Sequence, residues 1–91
     1  MFLKYLGDII ELRKTADPKK SYTARMYNRG LKKMAEKVGE EATELVIEAV
    51  GDSDNKFLEE AADLLFHYML LLAGRNQNLN KVIKILQKRS H

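Results

Sequence analysis

Apolar residues recur every three or four positions along nearly the whole chain, which is the spacing of amphipathic α-helices. No segment alternates convincingly between apolar and polar residues, so we expect no sheet. The chain is therefore predicted to be all-α, a single domain folded as a small bundle of about four helices. The predicted helices cover residues 2–14, about 21–50, 55–74 and 80–89 of the domain 1–91.

Turn-forming residues separate these helices. Pro18 breaks the chain after the first helix, because proline disfavours helix at the residue before it and has no N–H to donate. Ser21 or Thr23 suits the N-cap of the second helix, and "GDSDN" supplies a turn and a cap for the third. Gly30 weakens the second helix and marks either a true break or a kink.

The third helix, "FLEEAADLLFHYMLLLAG", is apolar on more than one face. A helix that is apolar nearly all round must be buried nearly all round, and one small bundle cannot cover it. We therefore expect a homodimer that places this helix near the centre of a larger bundle. The main inward stripe is predicted to be Leu64, Leu65, Tyr68, Leu71 and Leu72, and the first helix to turn Phe2, Leu3, Leu6, Ile9, Ile10 and Leu12 inward.

Charge is distributed very unevenly along the chain. Ten Lys and Arg face four acids in residues 1–39 (+6), one Lys faces nine acids in residues 40–63 (−8), and five basic residues face none in residues 64–91 (+5). An acidic middle between basic ends argues against nucleic-acid binding, which needs an unbroken basic face. Without cysteine, a signal-peptide pattern or an apolar run of roughly 18 residues, we expect a cytoplasmic protein that does not engage a membrane.

The stretch "KVGEEATELVIEA" places several glutamates on the second helix. At about 100° per residue, Glu41, Glu44 and Glu48 share one flank of the apolar stripe with Lys37, and Glu40 lies further out. Glu41 and Glu44 form an i, i+3 pair, whose like charges repel each other on a helix surface.

The third helix repeats this arrangement with Glu60, Asp63 and His67 on one flank. A short connection makes the two helices antiparallel neighbours, so the two acidic pairs can face each other across one cleft. Four carboxylates brought together require a compensating cation. All-oxygen ligands favour magnesium, manganese or calcium, and magnesium shares its remaining positions with substrate phosphates. A ferritin-like di-iron site is disfavoured, because neither helix carries Glu-x-x-His.

Specific motifs also resemble a known family. "EEATE" followed by "EAAD" matches the E-E-x-x-E … E-x-x-D pattern of the all-α nucleotide pyrophosphatases, the MazG-like superfamily. Within that group, "KSYTAR", "KVGEEATE" and "EAADLLFH" together resemble the phosphoribosyl-ATP pyrophosphatase family, and the similarity covers essentially the whole chain. The family often occurs fused to a cyclohydrolase domain, and this chain looks like the free-standing version.

The resemblance implies a nucleotide-binding hydrolase that cleaves phosphoribosyl-ATP between its α- and β-phosphates in the second step of histidine biosynthesis. By the family pattern, magnesium, with manganese as a substitute, would be held by Glu41, Glu44, Glu60 and Asp63. The cation would neutralise phosphate charge and orient or acidify the attacking water. Three glutamates are predicted to be catalytic: Glu40, Glu44 and Glu48. Glu40 and Glu48 could each act as the general base or support the metal ligands.

Basic and hydroxyl groups suit a polyanionic substrate. The predicted substrate-binding residues are Ser21, Tyr22, Thr23, Arg25, Lys33, Lys37 and His67. Individual lysines also fit a solvated face, and a lone histidine beside an apolar stripe also fits a packing residue. Residues 15–23 could order only over bound substrate.

Two other functions compete with this reading. A house-cleaning nucleoside triphosphate pyrophosphatase would share the metal chemistry and differ only in its pocket. A helical dimerisation or DNA-binding module would tolerate changes at Glu41 and Asp63, but the acidic middle argues against it. A separate phosphoribosyl-AMP cyclohydrolase is the expected functional partner.

Overall fold

The computed structural model describes residues 1–90 and confirms an all-α fold. Within that range the chain forms five helices and no strand. They are α1 (Phe2–Arg13), α2 (Tyr22–Arg29), α3 (Leu31–Ala49), α4 (Asp54–Gly74) and α5 (Leu79–Arg89). Among these residues, none of the helices combines enough length with enough apolar character to span a bilayer.

Gly30 divides the predicted second helix into α2 and α3. Its backbone has φ 94° and ψ 171°, a conformation essentially restricted to glycine. Its N–H closes α2 by donating to the carbonyl of Met26 at 3.1 Å, and its carbonyl accepts from the N–H of Met34 at 3.2 Å to begin α3. Gly30 is therefore a true break and lets α2 turn away from the axis of α3.

Side-chain caps and one left-handed residue define the other helix ends. Ser21 accepts the N–H of Ala24, and Ser53 accepts the N–H of Lys56, both at 3.2 Å. At the end of α4, Asn76 has φ 57°, and the next N–H, of Gln77, donates to the carbonyl of Leu72 at 2.8 Å. This is a Schellman closure, with asparagine where glycine is more usual.

The core lies on one side of an antiparallel hairpin formed by α3 and α4. These two helices make the most extensive contact in the structure, and α1 and α2 fold over one side of them. The buried apolar residues are Ile10, Ala24, Met26, Met34, Met69, Leu70 and Ala73. The hairpin therefore fixes the relative position of the acidic pairs that its two helices carry.

The buried face of α4 differs from the predicted one. Leu70 is fully buried and Phe66 packs against the core, whereas Leu65 is 38% exposed. The predicted inward positions Phe2 and Leu12 are also wrong, since both are mainly exposed. The reason is that α1 and α2 cover one side of the hairpin and leave the other side open. On that open side, Val38, Leu45, Ala61, Leu64, Leu65 and Tyr68 line a shallow apolar depression, the hairpin groove.

Candidate metal and phosphate site

Three carboxylates converge between α3 and α4. Glu41, Glu60 and Asp63 each offer one oxygen, and these oxygens all lie within 4.8 Å of one another. They converge because Glu60 and Asp63 are one turn apart on α4, and the antiparallel hairpin brings Glu41 of α3 beside them. We call these three residues the carboxylate cluster. Glu44, the fourth predicted ligand, is exposed and lies next to Glu60 rather than among the converging oxygens.

Two oxygens of the cluster are buried without a protein partner. Glu41 is only 7% exposed, and Lys37 approaches its Oε1 at 3.5 Å. Within the described chain, neither Oε2 of Glu41 nor Oε2 of Glu60 has a hydrogen-bond partner. Unpaired buried polar atoms are costly and need an explanation, and a hard cation with oxygen ligands supplies one.

Crowding of the carboxyl groups perturbs Glu60. The pKa of Glu60 is raised to about 7, chiefly by the adjacent carboxyl group of Glu44, then by removal from water and by the negative charges of Glu44, Asp63 and Glu41. The neighbouring negative charges oppose ionisation of such a carboxyl group. A bound cation would compensate those charges, so the site has electrostatic capacity for one.

The other two predicted catalytic glutamates lie outside the cluster. Glu40 is bound to Lys37 at 3.2 Å, and this hydrogen bond is the largest contribution raising the pKa of Lys37. Glu48 is turned towards the end of α3, where a Cβ added at Gly51 would meet its Oε2 at 3.7 Å. Neither carboxylate is directed at the converging oxygens.

The start of α2 combines hydroxyl and basic groups. Ser21 and Thr23 are buried there, and the Ser21 hydroxyl can still donate while its oxygen caps the helix. Arg25 reaches back to donate to the carbonyl of Pro18 at 2.9 Å. Asp17 holds the same turn, because its side chain accepts the N–H of Lys19 at 3.0 Å. Residues 17–25 thus form an internally bonded segment, which overlaps residues 15–23, interpreted from the sequence as a loop that could order over bound substrate.

Tyr22 and His67 connect this segment to α4. The Tyr22 hydroxyl lies 2.8 Å from Nε2 of His67, and Nδ1 of His67 lies 2.8 Å from the backbone carbonyl of Asp63. Phe66 packs edge-on against the imidazole, with ring centres 5.3 Å apart. The Tyr22–His67 pair was not predictable from the sequence, because 45 residues separate the two side chains and only the tertiary fold joins them.

Lys33 is the predicted substrate-binding residue with the weakest structural support. Its ammonium lies 3.7 Å from Glu36, one turn further along α3. Lys33 is half-buried and Glu36 is exposed, and a helix pair of this kind contributes little to stability.

Sequence comparison identifies the class of protein that carries this fold and site, the enzymes that hydrolyse nucleotide phosphoanhydrides. A sequence model of the family "Phosphoribosyl-ATP pyrophosphohydrolase" matches residues 3–90. The chain belongs to this family, and the pyrophosphatase activity predicted from the motifs is confirmed at the level of the family.

Individual relatives agree with the family match. A phosphoribosyl-ATP pyrophosphatase of Erythrobacter litoralis is 49% identical over 87 residues, which cover 96% of this chain and 84% of the relative. A phosphoribosyl-ATP pyrophosphatase of Cereibacter sphaeroides is 45% identical over 87 residues, which cover 96% of this chain and 84% of the relative. A histidine biosynthesis bifunctional protein HisIE of Buchnera aphidicola is 43% identical over 88 residues. That match covers 97% of this chain but only 42% of the bifunctional protein.

Proposed function

We propose that the chain hydrolyses phosphoribosyl-ATP between the α- and β-phosphates, releasing phosphoribosyl-AMP and pyrophosphate in the second step of histidine biosynthesis. The observation that carries this proposal is the carboxylate cluster, whose two unpaired buried oxygens lie on the hairpin of a chain that matches this family over residues 3–90. A merely structural acidic patch would be solvated or paired.

Magnesium fits the cluster, with manganese as a substitute. Glu41, Glu60 and Asp63 would hold it, and Glu44 would support it from beside Glu60. When bound, the cation supplies charge neutralisation at the phosphate oxygens and polarisation of the attacking water. The donor set contains only oxygens, which is the preference of hard divalent cations.

The protein's own groups supply positioning and proton transfer. We assign phosphate binding to the Ser21 and Thr23 hydroxyls at the start of α2, to Arg25 and to Lys37 of α3, which would bind phosphate oxygens by hydrogen bonds, those from Arg25 and Lys37 being charge-assisted. Glu44 is exposed and adjacent to the cluster, so its carboxylate can accept the proton of the attacking water. We assign the general base to Glu44, because Glu40 and Glu48 are directed elsewhere.

A side-by-side substrate comparison tests the proposed function. Pyrophosphate release is measured from phosphoribosyl-ATP, ATP and dUTP, each with magnesium and with a chelator. We expect fast release only from phosphoribosyl-ATP with magnesium. A preference for an ordinary triphosphate would instead identify a house-cleaning pyrophosphatase. Glu59→Gln, an exposed change next to Glu60, is the matched control and should retain full activity.

A second copy of the chain is proposed to cover the hairpin groove. The groove is almost wholly apolar, and its residues Leu65 and Tyr68 lie on the hairpin face opposite the covering helices. A small single domain gains much from burying such a face against its own copy. Leu65→Glu should convert a dimer to a monomer in light scattering, whereas Leu12→Glu on α1 should not. A monomeric parent protein at working concentration would contradict the proposal.

The bifunctional relatives support a functional partner. We propose that this chain acts beside a separate phosphoribosyl-AMP cyclohydrolase, in the cytoplasm, since the match covers only part of the bifunctional HisIE proteins. The coupled rate of the two proteins, measured with and without a competing trap for phosphoribosyl-AMP, tests this association. A trap that captures all of the intermediate would contradict direct transfer between them.

A further inference from the structure

Tyr22 and His67 form a polar link between two parts of the proposed site. The Tyr22 hydroxyl lies 2.8 Å from His67 Nε2, and His67 Nδ1 lies 2.8 Å from the carbonyl of Asp63. Tyr22 is the first residue of α2, directly after the Ser21 cap, whereas His67 stands one turn beyond Asp63 on α4. The link thus runs from the proposed phosphate-binding segment to a cluster carboxylate's own backbone.

The chemistry of the partners determines the direction of both hydrogen bonds. A backbone carbonyl can only accept, so Nδ1 of His67 must carry the proton that it donates to Asp63. In the neutral imidazole, Nε2 then has a lone pair and accepts from the Tyr22 hydroxyl. Both ring nitrogens are therefore occupied, and His67 is only 8% exposed. His67 has no free nitrogen for a phosphate oxygen.

Aromatic packing holds the same pair in place. The rings of Tyr22 and His67 meet edge-to-face with centres 5.6 Å apart, and Phe66 meets His67 in the same way. The guanidinium of Arg25 lies 5.7 Å from the centre of the Tyr22 ring. The hydroxyl therefore lies where α2 meets α4.

We propose that Tyr22 and His67 act as positioning residues, whose hydrogen bond sets the distance between the phosphate-binding start of α2 and the carboxylate cluster. This inference rests on the proposed function and alters the sequence prediction that both residues contact substrate. A phosphoryl group must meet the anion-binding groups and the cation in one alignment, and a displacement of about 1 Å can cost about 100-fold in rate. The bond between α2 and α4 restrains that displacement.

Four variants separate positioning from simple stability. Tyr22→Phe keeps the ring packing and removes only the hydroxyl. His67→Asn keeps a donor near the Nδ1 position and loses the acceptor at Nε2, whereas His67→Gln can extend an acceptor oxygen towards Tyr22. Tyr27→Phe is the matched control, because it removes another tyrosine hydroxyl of α2 that takes no part in the Tyr22–His67 pair.

Steady-state pyrophosphate release from phosphoribosyl-ATP is the assay, with thermal midpoints and magnesium titrations alongside. We expect kcat/KM to fall about 10–100-fold in Tyr22→Phe and in His67→Asn, mainly through kcat. The fall in kcat/KM of the double variant should be no larger than that of the less active single variant, since both substitutions remove the same hydrogen bond. His67→Gln should recover part of the rate, Tyr27→Phe should match the parent, and the magnesium midpoint should stay unchanged.

Two results would overturn the inference while the proposed function stands. One is a Tyr22→Phe rate within twofold of the parent enzyme. The other is a double variant whose loss is the product of the single losses, which would mean that the side chains contact substrate independently. If the parent enzyme itself releases no pyrophosphate from phosphoribosyl-ATP, the proposed function fails first, and this inference fails with it.

Discussion

Replacing Glu41 by glutamine removes one negative charge from the most buried member of the carboxylate cluster and nearly preserves the shape of the side chain. Glu41 is 7% exposed, its Oε2 lacks a partner within residues 1–90, and its Oε1 lies 3.5 Å from Lys37. Lys37 keeps its second partner, Glu40, at 3.2 Å after the change. The substitution therefore tests the cation site without leaving a stranded positive charge.

The expected effect of Glu41→Gln on the unfolding temperature has opposite signs with and without magnesium. An unpaired buried polar atom costs about 1–3 kcal/mol, and an amide N–H at this point can donate to a neighbouring carboxylate, so the cation-free variant should unfold at a higher temperature than the parent. A cation at 100 times its Kd stabilises the parent by about 2.7 kcal/mol, or roughly 10–20 °C for a domain of this size. If the loss of this ligand lowers the magnesium affinity about 100-fold, the same magnesium concentration stabilises the variant by only about 0.4 kcal/mol, or roughly 2–3 °C.

Thermal unfolding by circular dichroism, with magnesium and with a chelator, measures both effects. Glu40→Gln is the control. It also removes one negative charge from α3 and from a partner of Lys37, but Glu40 lies outside the carboxylate cluster. The control should retain the full magnesium-induced shift. A Glu41→Gln variant that also retains the full shift would refute the assignment of Glu41 as a ligand.

Further predictions follow from the backbone conformation of Gly30 and from the crowding of the carboxyl groups around Glu60. Gly30→Ala should destabilise the fold by about 1–3 kcal/mol in urea unfolding, because Gly30 has φ 94° and ψ 171°. Gly39→Ala should instead stabilise it by up to about 1 kcal/mol, since Gly39 is inside α3 with open space around an added Cβ. The pKa of Glu60 rises from 4.5 to about 7 on folding, so the cation-free protein should lose stability as the pH rises through that interval. Glu60→Gln should remove this dependence of stability on pH. In the parent, the magnesium affinity should rise with pH until about pH 7. Stability and magnesium affinity that do not change with pH in the parent would contradict these predictions.

Local features of the fold were predictable from the sequence because they depend on neighbouring residues. Ser21 and Ser53 cap their helices as their chemistry indicates, and the helix bounds agree within a residue or two apart from the division at Gly30. The buried face of α4 was not predictable, because a helix that is apolar nearly all round presents several equivalent faces. Which face packs, that of Leu70 rather than that of Leu65, depends on where α1 and α2 fold.

The candidate site divides in the same way. Helical spacing and a short connection are enough to predict that Glu41, Glu60 and Asp63 meet. The outward displacement of Glu44 depends on the crossing of α3 and α4, which spacing alone does not determine. Tyr22 and His67 were both named as substrate contacts, but their mutual bond requires the tertiary fold.

The most direct test of the central claim is magnesium-dependent pyrophosphate release from phosphoribosyl-ATP by the parent chain and by Asp63→Ala. The account predicts release by the parent only when magnesium is present, and no measurable release by Asp63→Ala, whose helical circular dichroism stays at the parent level. Near-parent turnover by Asp63→Ala would contradict the assignment of the carboxylate cluster as the catalytic cation site.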